Sequence, residues 1–239
     1  MKHLLVGTGM TACLVIAVAA PVAAASLGAA STTSSTFTVT STASGSSNGS
    51  VAGTIAPATP GNSALTYTAS TSPTNGSVTV STSGAFTYTP TATARHAAAS
   101  LASVPSNKSD TFTVTVTDGY GGTTAVPVTV PIAPQNTPPV AVAAKVSVTK
   151  PATGSVTGVV IANDADNDTL AYTAPSSIPK GTVSVNSSTG AFTYTPTAAA
   201  RQRAAVAPPN SAAKTATFTV TVSDGHGGTA TVPVRIKVK

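Results

Sequence analysis

One phrase occurs twice in this chain, and it limits what the chain can fold into. Gly84-Ala85-Phe86-Thr87-Tyr88-Thr89-Pro90-Thr91-Ala92 returns as Gly190-Ala191-Phe192-Thr193-Tyr194-Thr195-Pro196-Thr197-Ala198, 106 positions later. Asp118-Gly119-Tyr120-Gly121-Gly122 and Asp224-Gly225-His226-Gly227-Gly228 keep the same offset. Identity at one fixed period means one folding unit copied twice. Two such copies fill most of a 239-residue chain, and each is large enough to bury its own core.

Inside each copy the apolar residues alternate with polar ones, the period of a half-buried strand. Thr36-Phe37-Thr38-Val39-Thr40 opens the first copy. Runs follow at Leu65-Thr66-Tyr67, Ser77-Val78-Thr79-Val80 and Phe86-Thr87-Tyr88. Phe112, Val114 and Val116 share one face of a longer strand, and Val126, Val128, Val130 and Ile132 one face of the last. Pro127 and Pro131 stand on the other face of that last strand; lacking an N–H, they predict pairing on one side only. The second copy repeats the series at Leu170 and Tyr172, Val183 and Val185, Phe192 and Tyr194, and Phe218, Val220 and Val222. Val232, Val234, Ile236 and Val238 close it, with Arg235, Lys237 and Lys239 facing water. Short strands at turn-marked spacing predict an all-β fold of two tandem antiparallel β-sandwiches. One stretch in each copy breaks the pattern. Ala92 to Ala102 and Ala198 to Ala207 are Ala-rich and predict a short helix or ordered loop across the end of the sandwich.

The expected organisation is a signal peptide over 1–25, a flexible leader over 26–35, a first repeat over 36–133, a Pro-rich linker over 134–139 and a second repeat over 140–239. Lys2, the apolar run from Leu4 to Ala20 and the small residues Ala23-Ala24-Ala25 carry the signal-peptide reading. The one cysteine, Cys13, falls inside that segment, so the mature chain is expected to have no disulfide. No later stretch has the length and apolarity of a transmembrane span. The linker, Ala133-Pro134-Gln135-Asn136-Thr137-Pro138-Pro139, is short and stiffened by proline, so the repeats are expected end to end.

Twelve Lys and Arg stand against six Asp, with no Glu, and the basic residues are scattered. A nucleic-acid binder concentrates its charge on one face, so this partner class is not expected. No catalytic residues are assigned and no cofactor-binding motif is present. Asp-Gly-x-Gly-Gly runs from strand to strand, whereas a phosphate loop opens a helix.

With these residues in view, the chain resembles a known group. Gly-x-Phe-Thr-Tyr-Thr-Pro followed by Phe-Thr-Val-Thr-Val-x-Asp-Gly-x-Gly-Gly is similar to the tandem Ig-like or cadherin-like repeats of bacterial secreted and surface proteins, among them the VCBS repeats. The stretch Ala162-Asn163-Asp164-Ala165-Asp166-Asn167-Asp168-Thr169-Leu170 resembles the start of such a repeat, and Asn136-Thr137-Pro138-Pro139-Val140 its preceding linker. The resemblance implies Greek-key Ig-like sandwiches and a surface role as stalk, spacer or adhesive module. It also implies that Asp-Ala-Asp binds calcium, as the similar motif does in cadherins.

Asp164, Asp166 and Asp168 are half of all the carboxylates and lie within five residues. Alternate spacing converges oxygens on one ion if the loop curls, and Ca²⁺ takes six to eight oxygens. The first copy holds Thr59, Gly61 and Ser63 at the matching positions. Two readings stay open, a solvated acidic turn and a calcium site confined to the second repeat. Asp118 and Asp224 read as turn formers. His96 and His226 each stand alone in sequence, and Tyr120 replaces His226 in the first copy, so no ligand role is expected of them. Arg95, Arg201 and Arg203 are expected to be exposed or capping.

The expected function is that of a secreted, non-enzymatic structural or adhesive protein of the bacterial envelope or exterior, with an unknown protein or glycan of the cell surface as partner. The alternative is a calcium-dependent glycan- or protein-binding module.

Overall fold

The computed structural model describes residues 30–33, 37–43, 45–59, 61, 64–150 and 153–239. The expected signal peptide and Ser63 lie outside the described residues. The first repeat contains β1 (Ala30–Thr33), β2 (Phe37–Ala43), β3 (Val51–Pro57), β4 (Thr66–Ala69), β5 (Gly76–Val80), β6 (Ala85–Pro90), α1 (Ala92–Ala99), β7 (Ser109–Thr117) and β8 (Thr123–Pro131). The second contains β9 (Val140–Lys150), β10 (Ser155–Asn163), β11 (Ala171–Thr173), β12 (Ser177–Ile178), β13 (Gly181–Val185), β14 (Ala191–Pro196), α2 (Ala198–Val206), β15 (Thr215–Ser223) and β16 (Thr229–Lys237).

Each repeat is two antiparallel sheets over one core. In the first the orders are β1-β2-β3-β6-β5 and β4-β7-β8; in the second, β12-β13-β14-β10-β9 and β11-β15-β16. β8 and β16 are edge strands, as their prolines require: Pro127 lies opposite Thr113 on β7 and Pro233 opposite Thr219 on β15. Their alternating valines point inward, and Arg235, Lys237 and Lys239 are exposed.

The repeated phrase lies at the centre of each core. Phe86 meets Phe112 of the facing sheet edge to face at 5.5 Å, and Phe192 meets Phe218 at the same distance. The Phe86 ring lies over Gly53 on β3, and the Phe192 ring over Gly158 on β10; a Cβ at either glycine would collide with the ring and with a neighbouring strand carbonyl. Tyr88 and Tyr194 are fully buried. The Tyr88 hydroxyl donates to Asp110 Oδ2 at 3.0 Å, whereas that of Tyr194 donates to the Lys180 carbonyl at 2.9 Å. Burial, then the hydrogen bond and charge of Asp110, push the Tyr88 phenol far above its usual range.

Both Ala-rich segments form helices that begin alike. Thr91 and Thr197 cap them, each side chain accepting from the third helical N–H, of Ala94 and Ala200, at 3.1 Å. Two features depart from expectation. Ala30–Thr33, within the expected leader, pairs along β2 from Ser41 to Thr38. This four-residue strand holds only small and polar residues, so the backbone ladder places it and no apolar period announces it. Arg95, expected to be exposed or capping, is buried: Nε donates to the Ala133 carbonyl at 3.0 Å and Nη1 to the Ser47 carbonyl at 2.7 Å. Burial lowers its pKa.

Candidate functional site

The polar groups of this chain gather where the two repeats meet. α1 of the first repeat lies at this junction and the linker runs against it: the Gln135 N–H donates to the Arg95 carbonyl at 3.0 Å. Arg95 grips Ala133 at the start of the linker, so helix and linker form one support. From the second repeat come two loops. One follows β10 and carries Asp164, Asp166 and Asp168; the other is the β15–β16 hairpin carrying Asp224 to Gly228.

The acidic loop does curl. Asp164 Oδ1 accepts from the N–H of Asp166 at 2.9 Å and of Asp168 at 3.3 Å. Asn167 takes a left-handed conformation at φ 64°, which asparagine tolerates better than most residues. One oxygen from each of the three aspartates lies within 4.8 Å of the others, so these acidic groups could hold an ion. They also tie the loop to the linker, since Asp166 Oδ2 accepts from the Thr137 N–H at 2.6 Å.

The hairpin is a turn, as expected of Asp118 and Asp224. Asp118 Oδ1 accepts from the N–H groups of Tyr120 and Gly122, and Asp224 Oδ1 from those of His226 and Gly228. The two hairpins differ in setting. Tyr120 is 88% exposed. The second hairpin lies against the first repeat instead. Asp224 Oδ2 accepts from Asn136 Nδ2 of the linker at 2.7 Å, and the Leu101 N–H beyond α1 donates to the Gly225 carbonyl at 3.0 Å.

The histidines, given no role from sequence, meet here. The His96 ring on α1 stacks on the His226 ring of the hairpin, centroids 4.1 Å apart and planes 23° from parallel. Asp168 joins both. His96 Nε2 lies 2.8 Å from its Oδ1, and His226 Nδ1 lies 3.2 Å from its Oδ2. His96 Nδ1 faces Asp166 Oδ2 at 3.9 Å. Burial alone would lower the His96 pKa, but the hydrogen bond to Asp168 and the charges of Asp168 and Asp166, with the Gln135 backbone, outweigh it and raise it. Among the described residues, the buried Asn136 Oδ1 and Asp164 Oδ2 have no hydrogen-bond partner at this junction, and Asp168 Oδ2 has only the ion-pair contact of His226. Polar atoms left so are costly unless something further binds them.

The sequence placed the three aspartates on one loop but could not bring the histidines to them, because that contact is made between repeats. One signal was present. His96 matches Gln202, His226 matches Tyr120, and Asp164 and Asp166 match Thr59 and Gly61. The copies diverge at the positions that face the junction in only one of them.

A family model described as bacterial Ig domain matches residues 17–131, and one described as bacterial cadherin-like domain matches residues 136–239. No curated protein matches the sequence. Similar solved structures include the human desmocollin-1 ectodomain, at 12% identity, covering 76% of this chain and 31% of that one with a TM-score of 0.30. Others are protocadherin gamma B2 cadherin domains 1–5, at 13% identity, 80% and 34% coverage and a TM-score of 0.36, and murine CEACAM1b, at 14%, 84% and 76%, and 0.28. This chain spans about a third of the length of the desmocollin and protocadherin chains. Its two repeats, joined by the Pro-rich linker, make it a tandem Ig-like and cadherin-like repeat protein, a bacterial Ig domain followed by a bacterial cadherin-like domain.

Proposed function

We propose that this chain is a secreted, non-catalytic structural or adhesive protein of the cell envelope or exterior, in which two sandwiches act as one jointed unit. The observation that carries the reading is the junction. Helix α1, the linker, the acidic loop and the second hairpin spend their polar side chains on one another, which fixes one module against the next. Bacterial Ig and cadherin-like domains are typical of surface or extracellular proteins, and such families are typically non-enzymatic. No helix among the described residues is long and apolar enough to cross a membrane. Fractionating cells that express the full chain tests the location. Recovery in the medium or envelope fraction is expected, and retention in the cytosol contradicts it. A pull-down from envelope extract, with the chain as bait, tests adhesion by retention of a saturable protein or glycan.

A second reading, calcium-dependent binding, is favoured by the curled acidic loop. Asp164, Asp166 and Asp168 would supply three carboxylates to a hard cation and leave the balance of its shell to solvent. Calcium held there would brace the loop against Thr137 of the linker. A melting temperature that rises in excess Ca²⁺ over chelator supports this reading, and identical melts remove it.

A further inference from the structure

Calcium takes oxygen ligands, yet the junction also holds two imidazoles. Asp168 lies between the two chemistries. Its neighbours on one side are Asp164 and Asp166; on the other are His96 and His226. Imidazole suits zinc, copper and nickel, and a His₂Asp set is among those that hold a borderline divalent cation.

We propose that His96 Nε2, His226 Nδ1 and the Asp168 carboxylate form a binding site for a borderline divalent cation of the Zn²⁺ class, which clasps the first repeat to the second. Three observations carry this. The three side chains each offer a ligand atom within 4.8 Å of the others. Metal–ligand bonds of about 2.0–2.2 Å place tetrahedral ligand atoms roughly 3.3–3.6 Å apart. The two nitrogens lie 2.8 and 3.2 Å from separate Asp168 oxygens, and because the rings stack 23° from parallel they must turn apart for both in-plane lone pairs to meet one ion. The Asp168 side chain is only 8% exposed, and its Oδ2 makes no hydrogen bond among the described residues beyond its ion-pair contact with His226. An anion this buried, with an imidazole against each oxygen, is a ligand set that a divalent cation would neutralise.

The surroundings support the arrangement. His226 Nδ1 donates to the Asp224 carbonyl at 3.1 Å, so a cation must displace this proton, while the Asp224 turn holds the backbone that carries the ring. His96 comes from a helix whose preceding residue, Arg95, is anchored to Ala133 and Ser47. Both rings are thus carried on braced backbone, one from each repeat. Binding displaces any proton held between His96 and Asp168, so affinity falls as pH drops. Three protein ligands leave a fourth position to water. The site is independent of the partner that the modules engage; it shares Asp168 with the acidic loop but adds the two imidazoles that calcium does not use.

The test uses the full chain stripped of metal with chelator. Zn²⁺ alone and Ca²⁺ alone are titrated by calorimetry in separate arms, and Co²⁺ is added as a spectroscopic probe. One equivalent of Zn²⁺ is expected to bind, with visible d–d bands for Co²⁺. His96→Gln and His226→Tyr are each expected to weaken Zn²⁺ by more than about 100-fold, since even outer-sphere partners of a metal ligand cost 10–100-fold. Tyrosine is the residue of the first hairpin at that position, so the backbone accepts it. Imidazole ¹⁵N shifts of the unsubstituted chain give a readout that needs no variant: His96 and His226 must both move with Zn²⁺. The proposal is overturned if Zn²⁺ moves neither ring, or if either substitution leaves the affinity unchanged. Zn²⁺ affinity unchanged in both histidine variants, with Ca²⁺ binding retained, would leave the acidic-loop reading standing while this one falls.

Discussion

Asp168 Oδ1 accepts a hydrogen bond across the repeat boundary from His96 Nε2 at 2.8 Å, while its Oδ2 faces His226 Nδ1 at 3.2 Å. One carboxylate therefore connects a helix of the first sandwich to a loop and a hairpin of the second. The contact lies outside both hydrophobic cores, so it governs how the repeats are joined more than whether each one folds. Substituting His96→Gln or His226→Tyr is expected to leave each repeat folded, at a cost of about 1–3 kcal/mol for the partner that Asp168 loses. The same changes are expected to broaden the distribution of inter-repeat orientations in residual dipolar couplings. A large loss of stability with unchanged orientation would reverse that assignment.

Gly53 and Gly158 make room for the Phe86 and Phe192 rings. Ala at either position forces the ring or the neighbouring strand aside. Overpacking of this kind costs about 1–3 kcal/mol. Chemical denaturation of Gly53→Ala and Gly158→Ala checks the value, and each repeat should suffer alone.

Asp110 is buried at 5% exposure and accepts from the Thr74 N–H, the Asn75 N–H and the Tyr88 hydroxyl. The second repeat has Ala216 in its place and answers Tyr194 with the Lys180 carbonyl instead. Asp110→Ala copies the second repeat's side chain without its Lys180 arrangement. The donors it strands should lower the stability of the first repeat by about 3 kcal/mol or more. Urea unfolding measures this directly.

The raised pKa of Tyr88 sets an alkaline limit. The folded state holds the phenol neutral, while the unfolded chain ionises near the ordinary value of 10.0. Stability from this group is complete below that pH and is lost as pH rises toward the folded value. One proton contributes a slope of about 1.4 kcal/mol per pH unit. Tyr88→Phe should remove one proton's worth of slope from the first repeat's stability above pH 10, measured by denaturation at a series of pH values. An unchanged slope would mean that Tyr88 titrates normally.

The sandwich was legible wherever inward residues alternate, as from Phe112 to Val116 and from Val126 to Ile132. β3 and β10 were not, and the reason is the glycine at their centre. Val51, Gly53 and Ile55 form one inward face, as do Val156, Gly158 and Val160, with a neighbour's ring filling the middle position. A strand whose core contribution is an absence has no apolar period. The candidate site divides in the same way. Asp164, Asp166 and Asp168 are local in sequence and were recognisable as a set. His96 and His226 were invisible as a pair because docking between the repeats, not spacing within one, brings them together. Comparing the copies would have pointed to them, since Gln202 and Tyr120 occupy the matching positions.

Backbone ¹⁵N relaxation on the full chain tests the jointed unit most directly. A junction fixed by His96, Asp168 and His226 predicts one rotational correlation time shared by both sandwiches. Two separate and shorter times, one for each sandwich, would contradict it.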